Sequence, residues 1–260
     1  MDAHNEDPLS GEKILSALRT SILGSRVDFF PITTSTMDDA RQAAMGGAPE
    51  GALVLADEQT QGRGRFQRTW VSPPRANLLF SLTLRPSPQT ASQLSMMSSL
   101  ALATALGRIL PENASVTVKW PNDVRVRGKK IAGILIESFE GFSIVGMGVN
   151  VNFDPGDYLE IRDIATSLKR ELGRPFSRLD LLTSILEEME ALYIGITRGE
   201  SVRELWASLL DTIGCRIQVA SGDEVYEGMA EGVDDDGSLL LRRDDGSLQT
   251  LAAGEVTLHL

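Results

Sequence analysis

Apolar residues recur at two spacings along this chain, and the switches between them mark out its elements. Ile14, Leu15, Leu18 and Ile22 in "KILSALRTSIL" fall at helical spacing and predict a short N-terminal helix. "RVDFFPI" predicts a strand. "TSTMDDARQAAMGG" predicts a helix opened by Ser35 or Thr36, with acids in its first turn and a stop at Gly46 and Gly47. "GALVLADEQ" and "ANLLFSLTL" are apolar runs of strand length, separated by a stretch rich in arginine and glycine. "TASQLSMMSSLALATALGRIL" is apolar almost all round, which predicts one long buried helix ended by Pro111. "SVTVKW" predicts a strand stopped by "PND", and "VRVRGKKIAGILIESF" a hairpin turning at Gly128. "FSIVGMGVNVNF" is a further strand rich in small residues. Two helices follow, in "SRLDLLTSILEEMEALYIGI" and "SVRELWASLLDTI", the first with Ser177 and Asp180 at its start.

From about Gly214 the pattern changes to short alternating strands broken by "SGD", "DDDG" and "DDG" turns, with no place for a helix. That predicts a separate small β-barrel of roughly 45 residues. The body before it lacks regular βαβ alternation, so the expected class is α+β rather than a doubly wound sheet. The expected division is residues 1–212 for the main domain and 213–260 for the barrel.

Composition narrows the partners. The 260 residues carry a formal charge of −11, which opposes general affinity for nucleic acid or anionic membranes. Only about one helix precedes the next strand, too little for a helix-turn-helix module. The single cysteine, Cys215, fits a reducing compartment, and the acidic start "MDAHNEDPLSGEK" has no signal-peptide core. The expected location is the cytoplasm. The only histidines are His4 and His259, near the two ends, so histidine-based catalysis or metal binding is not expected.

Against that negative charge, "GRGRFQRTW" places Arg63, Arg65 and Arg68 within six residues. Glycine lets backbone N–H groups approach an anion, and arginine grips carboxylate or phosphate with a planar fork. The stretch fails the dinucleotide fingerprint at its third glycine, and no P-loop occurs anywhere. A solvated basic loop has the same composition. "KWPND" ends a strand at Pro121 and leaves Asn122 and Asp123 with oxygens suited to Mg²⁺ shared with phosphates, or to an ordinary turn. Lys130, at the start of "KKIAGILIE", either snorkels outward or meets an anion, and Gly133 allows close approach. Gly146 and Gly148 thin the next strand, beside Asn150.

In this order, "STMDDA", "DEQTQGRGRFQRTW", "KWPND", "KKIAGILIE", "GMGVNVN" and "ATSL", followed by a small barrel, resemble a biotin–protein ligase of the form without an N-terminal DNA-binding domain. The likeness runs from about Phe29 to the C-terminus. It implies a mixed-sheet biotin/lipoate ligase-like catalytic domain with a small C-terminal SH3-like β-barrel. It also implies ATP-dependent formation of biotinyl-5′-AMP with release of pyrophosphate. Biotin then passes to a lysine of a biotin carboxyl carrier domain, with ATP, biotin and Mg²⁺ required. Carried over by position, Ser35, Thr36 and Gln59 would meet the ureido ring. Arg63 and Arg65 would hold carboxylate and phosphates, with Gly62 and Gly64 giving backbone access. Arg68 and Trp70 would close over the adenylate, and Lys119, Asn122 and Asp123 would serve phosphates and metal. Lys130 would be the main catalytic cation, beside Gly133. Asn150 and Ala165 would face the nucleotide, and Trp120 and Leu135 the biotin tail.

The chain departs from the family pattern at Phe66-Gln67, where a residue followed by glycine is usual, at "STM" for the commoner "STN", and at His259, where some members have arginine. The lost glycine is expected to alter loop closure. Without ligand the Arg63–Arg68 loop is expected to be more protease-sensitive, because like charges repel in an empty site. A lipoate or octanoyl transferase of the same fold is disfavoured by "GRGR…R.W", and a non-enzymatic biotin-binding module by "KWPND" with Lys130. A monomer or a homodimer fits equally, without nucleic acid or membrane as partner.

Overall fold

The computed structural model describes residues 8–258. His4 and His259 lie outside the described residues. Seven strands form the main sheet: β1 (Val27–Phe30), β2 (Leu53–Ala56), β3 (Leu78–Leu84), β4 (Val116–Lys119), β5 (Asp123–Val126), β6 (Lys129–Phe139) and β7 (Phe142–Val149). Their order is β1-β2-β3-β7-β6-β5-β4. β1 and β2 are parallel and every other neighbouring pair is antiparallel, so the sheet is mixed. The β5–β6 hairpin turns at Arg127 and Gly128, both with positive φ, as two-residue hairpins demand.

The helices are α1 (Gly11–Ala17), α2 (Thr36–Met45), α3 (Pro88–Ser92), α4 (Leu94–Ile109), α5 (Leu168–Leu172), α6 (Arg178–Thr197) and α7 (Arg203–Ala207). α4 and α6 pack together against one sheet face, and α2 covers part of the other. β2 is therefore buried on both faces: Leu53 and Leu55 join the large core, and Val54 joins the smaller one under α2. That explains its unbroken apolar run. None of the helices among the described residues is long and apolar enough to cross a membrane.

Three predicted helices differ in extent. The N-terminal one stops at Ala17, because the Glu190 carboxylate draws in the amides of Ser21, Ile22 and Leu23 at 2.7–2.8 Å. The long apolar helix is two, α3 and α4, joined at Gln93. The last helix shrinks to five residues, because Leu210 pairs with Val118 of β4. The short α5 begins at the last residue of "ATSL", is capped by Ser167, and was not predicted.

A second, antiparallel sheet follows: β8 (Arg216–Ser221), β9 (Glu224–Val233), β10 (Leu239–Arg242), β11 (Leu248–Leu251) and β12 (Glu255–Leu258), in the order β11-β10-β9-β8-β12. This build is that of the SH3-like fold. It shares the main core through Ile217, Val219, Ala230, Leu239 and Leu241. Trp120, only 1% exposed, joins the two sheets: its amide donates to Thr212 Oγ1 and its Nε1 to the Gly237 carbonyl.

Candidate functional site

The sheet face that α2 leaves uncovered carries a cleft of about 440 Å³. Strand alternation sets its floor. On β7, Val145, Met147 and Val149 face the helix-side core, so Gly146 and Gly148 face the cleft. On β5, Val124 and Val126 face the core, leaving Asp123 and Arg125 on the cleft side. β6 needs an irregularity to do the same. Val124 pairs with Ala132 but Arg125 pairs with Lys130, so Ile131 is an extra, bulged residue. The bulge turns Ile131 into the core and Lys130 into the cleft, beside Gly133 and Leu135. Without that shift the alternation set by Gly133 and Leu135 would send the Lys130 side chain to the core.

Residues 57–77 form the opposite wall. Asp57 pins both stems of this loop: its carbonyl accepts from the Arg75 amide, and its carboxylate meets the guanidinium of Arg178 at 2.7 Å. Arg178 is 2% exposed, so the pair ties the loop root to α6 inside the protein. The loop then runs beside residues 33–34, which sets Gln59 against the start of α2. Gln59 Oε1 accepts from the Thr36 amide at 2.8 Å and from its hydroxyl at 3.1 Å. Thr36 Oγ1 in turn accepts from Ser81, so the Thr36 hydroxyl serves mainly to orient the Gln59 amide. Ser35 caps α2 by position, but its hydroxyl makes no capping bond.

The loop cations are not left to repel one another. Arg63 makes two 2.7 Å hydrogen bonds to Asp38 and lies 3.5 Å from Glu137. The Asp38 carboxylate therefore sits below its usual pKa, and Arg63 above its own. Arg68 pairs with Glu255 at 2.5 Å. Arg65 donates to the Gly254 carbonyl at 3.2 Å and to Asn122 Oδ1 at 3.4 Å; burial lowers its pKa, against the pull of Asp123 and Glu255. The protein thus supplies these cations with carboxylates and carbonyls of its own. Lys130 Nζ lies 2.7 Å from Asp123. Burial lowers the pKa of Lys119, and neighbouring Arg125 lowers it further.

Trp70 lies across the floor. Gly133 and Gly148 are cross-strand partners, and a Cβ on Gly148 would come within 2.6 Å of the indole. The Lys130 ammonium lies 5.5 Å from the ring centroid. The indole Nε1 is buried without a hydrogen-bond partner among the described residues.

The cleft gathers Ser35, Thr36, Gln59, Arg63, Gly64, Arg65, Arg68, Trp70, Lys119, Trp120, Asn122, Asp123, Lys130, Gly133, Leu135, Asn150 and Ala165. Gly62 stands behind the wall, its carbonyl accepting from the Trp70 amide. Asn150 is an anchor: its Nδ2 donates to the Thr166 carbonyl and its own carbonyl accepts from Leu168. The Lys130 backbone pairs with Ala165 in a parallel bridge, which brings Ile161 and Ile164 to the cleft. Sequence reasoning missed Met37, Arg125, Ile161, Ile164 and the segment Gly254, Glu255 and Val256. The last carries no motif and reaches the cleft only because the second sheet folds against Trp120.

Residues 29–154 match the family model for the biotin/lipoate A/B protein ligase family, and residues 212–258 the model for the biotin protein ligase C terminal domain. The chain is 36% identical to the biotin–[acetyl-CoA-carboxylase] ligase of Paracoccus denitrificans, over 86% of this chain and 97% of the relative. It is 33% identical to the same-named protein of Mycobacterium tuberculosis, over 94% of each chain. It is 35% identical to a bifunctional ligase/repressor of Bacillus subtilis, over 92% of this chain and 76% of the relative. Among solved structures, biotin protein ligase from Aquifex aeolicus in complex with biotin and ATP superposes with a TM-score of 0.77 at 27% identity, covering 90% and 99% of the two chains.

Proposed function

This chain belongs to the biotin protein ligase family, and from that premise we propose how its cleft joins biotin to a carrier-protein lysine. It is an ATP-dependent biotin ligase. In the first step a biotin carboxylate oxygen attacks the α-phosphorus of ATP, the bond to the bridging oxygen breaks, and pyrophosphate leaves. A carboxylate is already ionised at neutral pH, so this step needs no general base. Its barrier is the approach of two anions, which positive charge and fixed orientation lower. In the second step the acceptor lysine amine attacks the carbonyl of biotinyl-5′-AMP, an amide forms, and AMP leaves.

The observation that carries the residue assignment is the bulge at Ile131, which sets Lys130 among Arg65, Asp123 and Trp70. Lys130 bridges the biotin carboxylate and the α-phosphate. Arg63 exchanges its carboxylate partners for a substrate anion, and Arg65, held by the Gly254 carbonyl and Asn122, meets the phosphates. Lys119 and Asn122 serve the phosphates, and Arg68 and Trp70 cover the adenylate. Gln59, oriented by Thr36, and Ser35 meet the ureido ring, while Gly133 and Leu135 flank the tail. Asn150 and Ala165 shape the nucleotide side.

Among the described residues no three His, Cys, Asp or Glu side chains are grouped as a metal cage. The donor set of Asp123 and Asn122 fits an ion held mostly by substrate phosphates, as Mg²⁺ is. When bound, such an ion would neutralise phosphate charge. Residues 1–212 carry binding and chemistry, and residues 213–260 brace the arginine loop through Gly254 and Glu255. The acceptor is a biotin carboxyl carrier domain of a biotin-dependent carboxylase.

The test is incubation of purified protein with biotin, MgATP and a carrier domain, followed by pyrophosphate assay and mass spectrometry. Labelling of one carrier lysine with biotin is expected. Labelling with lipoate and not biotin would move the assignment to the lipoate branch.

A further inference from the structure

Phe66 stands out at the lip of the cleft on two counts. It is 56% exposed, and its backbone sits at φ 55, ψ 35, the left-handed region that disfavours any side chain but glycine's. A glycine would avoid both the strain and the exposed ring. The turn itself needs no ring, since the Gly64 amide to Arg68 carbonyl bond of 2.7 Å and the Arg68 amide to Arg65 carbonyl bond of 3.3 Å close it through the backbone. What the ring does touch is the Arg65 guanidinium, 4.9 Å from its centroid.

We propose that Phe66 is a positioning residue for Arg65: its ring, projected by a left-handed backbone, holds the guanidinium in the cleft. Arg65 is then held from two directions. The Gly254 carbonyl and Asn122 Oδ1 take N–H groups in the plane of the fork, and the ring takes a face. A long side chain that would otherwise lose its rotamer freedom on meeting a phosphate is ordered beforehand. This inference rests on the ligase reading, because it assigns the ordering to the adenylation step.

Three variants separate the ring from the turn. F66G keeps the turn, which suits glycine, and removes the ring. F66L keeps apolar bulk without a π-face, and F66Y keeps the ring. Single-turnover formation of biotinyl-AMP should slow for F66G and F66L, with kcat/KM for ATP down about three- to tenfold. F66Y should recover most of that loss, and KM for the carrier domain should not move. Melting temperatures should show all three folded. If F66G matches the wild type, Phe66 is only a turn residue and the proposal is overturned. A raised KM for the carrier domain with normal adenylation also overturns it, and makes Phe66 a docking residue. If the wild-type protein forms no biotinyl-AMP, the ligase reading itself fails, an outcome distinct from either.

Discussion

Arg63 and Asp38 clasp each other through two parallel hydrogen bonds of 2.7 Å, one from each terminal nitrogen of the guanidinium. A loop residue expected to await a substrate anion already holds a carboxylate of the same shape. Asp38 therefore competes with substrate for Arg63. Partly exposed pairs of this kind contribute about 1 kcal/mol or less. Asp38→Asn should accordingly tighten biotin binding by about two- to fivefold and make residues 63–68 easier to cleave without ligand. Calorimetry and limited proteolysis would check both. Weaker biotin binding in the variant would show that Asp38 helps the substrate rather than rivals it.

Lys130 is the cation that the bulge delivers to the cleft. Lys130→Ala should lower the rate of biotinyl-AMP formation by about a hundredfold or more. Its side chain is partly exposed and its neighbour Asp123 also reaches solvent, so the fold should persist. Stopped-flow pyrophosphate release and a melting curve check the two halves. A near-native rate would remove Lys130 from the chemistry.

Gly148 makes room for Trp70. A Cβ there would lie 2.6 Å from Trp70 Cε2, whereas at Gly133 the nearest indole contact is 3.1 Å and the other is the flexible end of Lys130. Gly148→Ala should displace the indole and weaken ATP binding about tenfold, with a smaller loss for Gly133→Ala. Tryptophan fluorescence should change in the same order. Equal effects of the two substitutions would show that the floor does not depend on this contact.

Lys119 is a cost to the folded protein. Its pKa is lowered chiefly by burial and next by Arg125. A base whose folded pKa is depressed binds its proton more weakly than in the unfolded chain. The cost is complete below the lowered value, and stability rises as pH climbs through it towards the ordinary lysine value of 10.5. Lys119→Met should raise the melting temperature at pH 7 by about 2–4 °C and weaken ATP binding. The gain should shrink in alkali. An unchanged melting temperature at pH 7 would show that Lys119 is not under strain.

The elements were largely legible because alternation and helical spacing are local. β2 and β3 show as apolar runs, and the Arg127–Gly128 turn shows in its glycine. Errors fell where a distant group intervened. Glu190 ended the first helix, and pairing of Leu210 with Val118 cut short the last. The motif residues could be named from the chain. Their partners could not, because Arg63 meets Asp38 and Glu137 from α2 and β6, and Arg68 meets Glu255 from the second sheet.

By itself, then, the amino-acid order determined where most strands and helices lie, and which side chains carry charge, since both follow largely from neighbours along the chain. The tertiary structure alone decided where those charges point and what they hold. The reason is visible at Ile131: one extra residue on β6, recognisable only against its partner β5, reverses the faces of Ile131 and Lys130 and so turns a cation from the core side into the cleft.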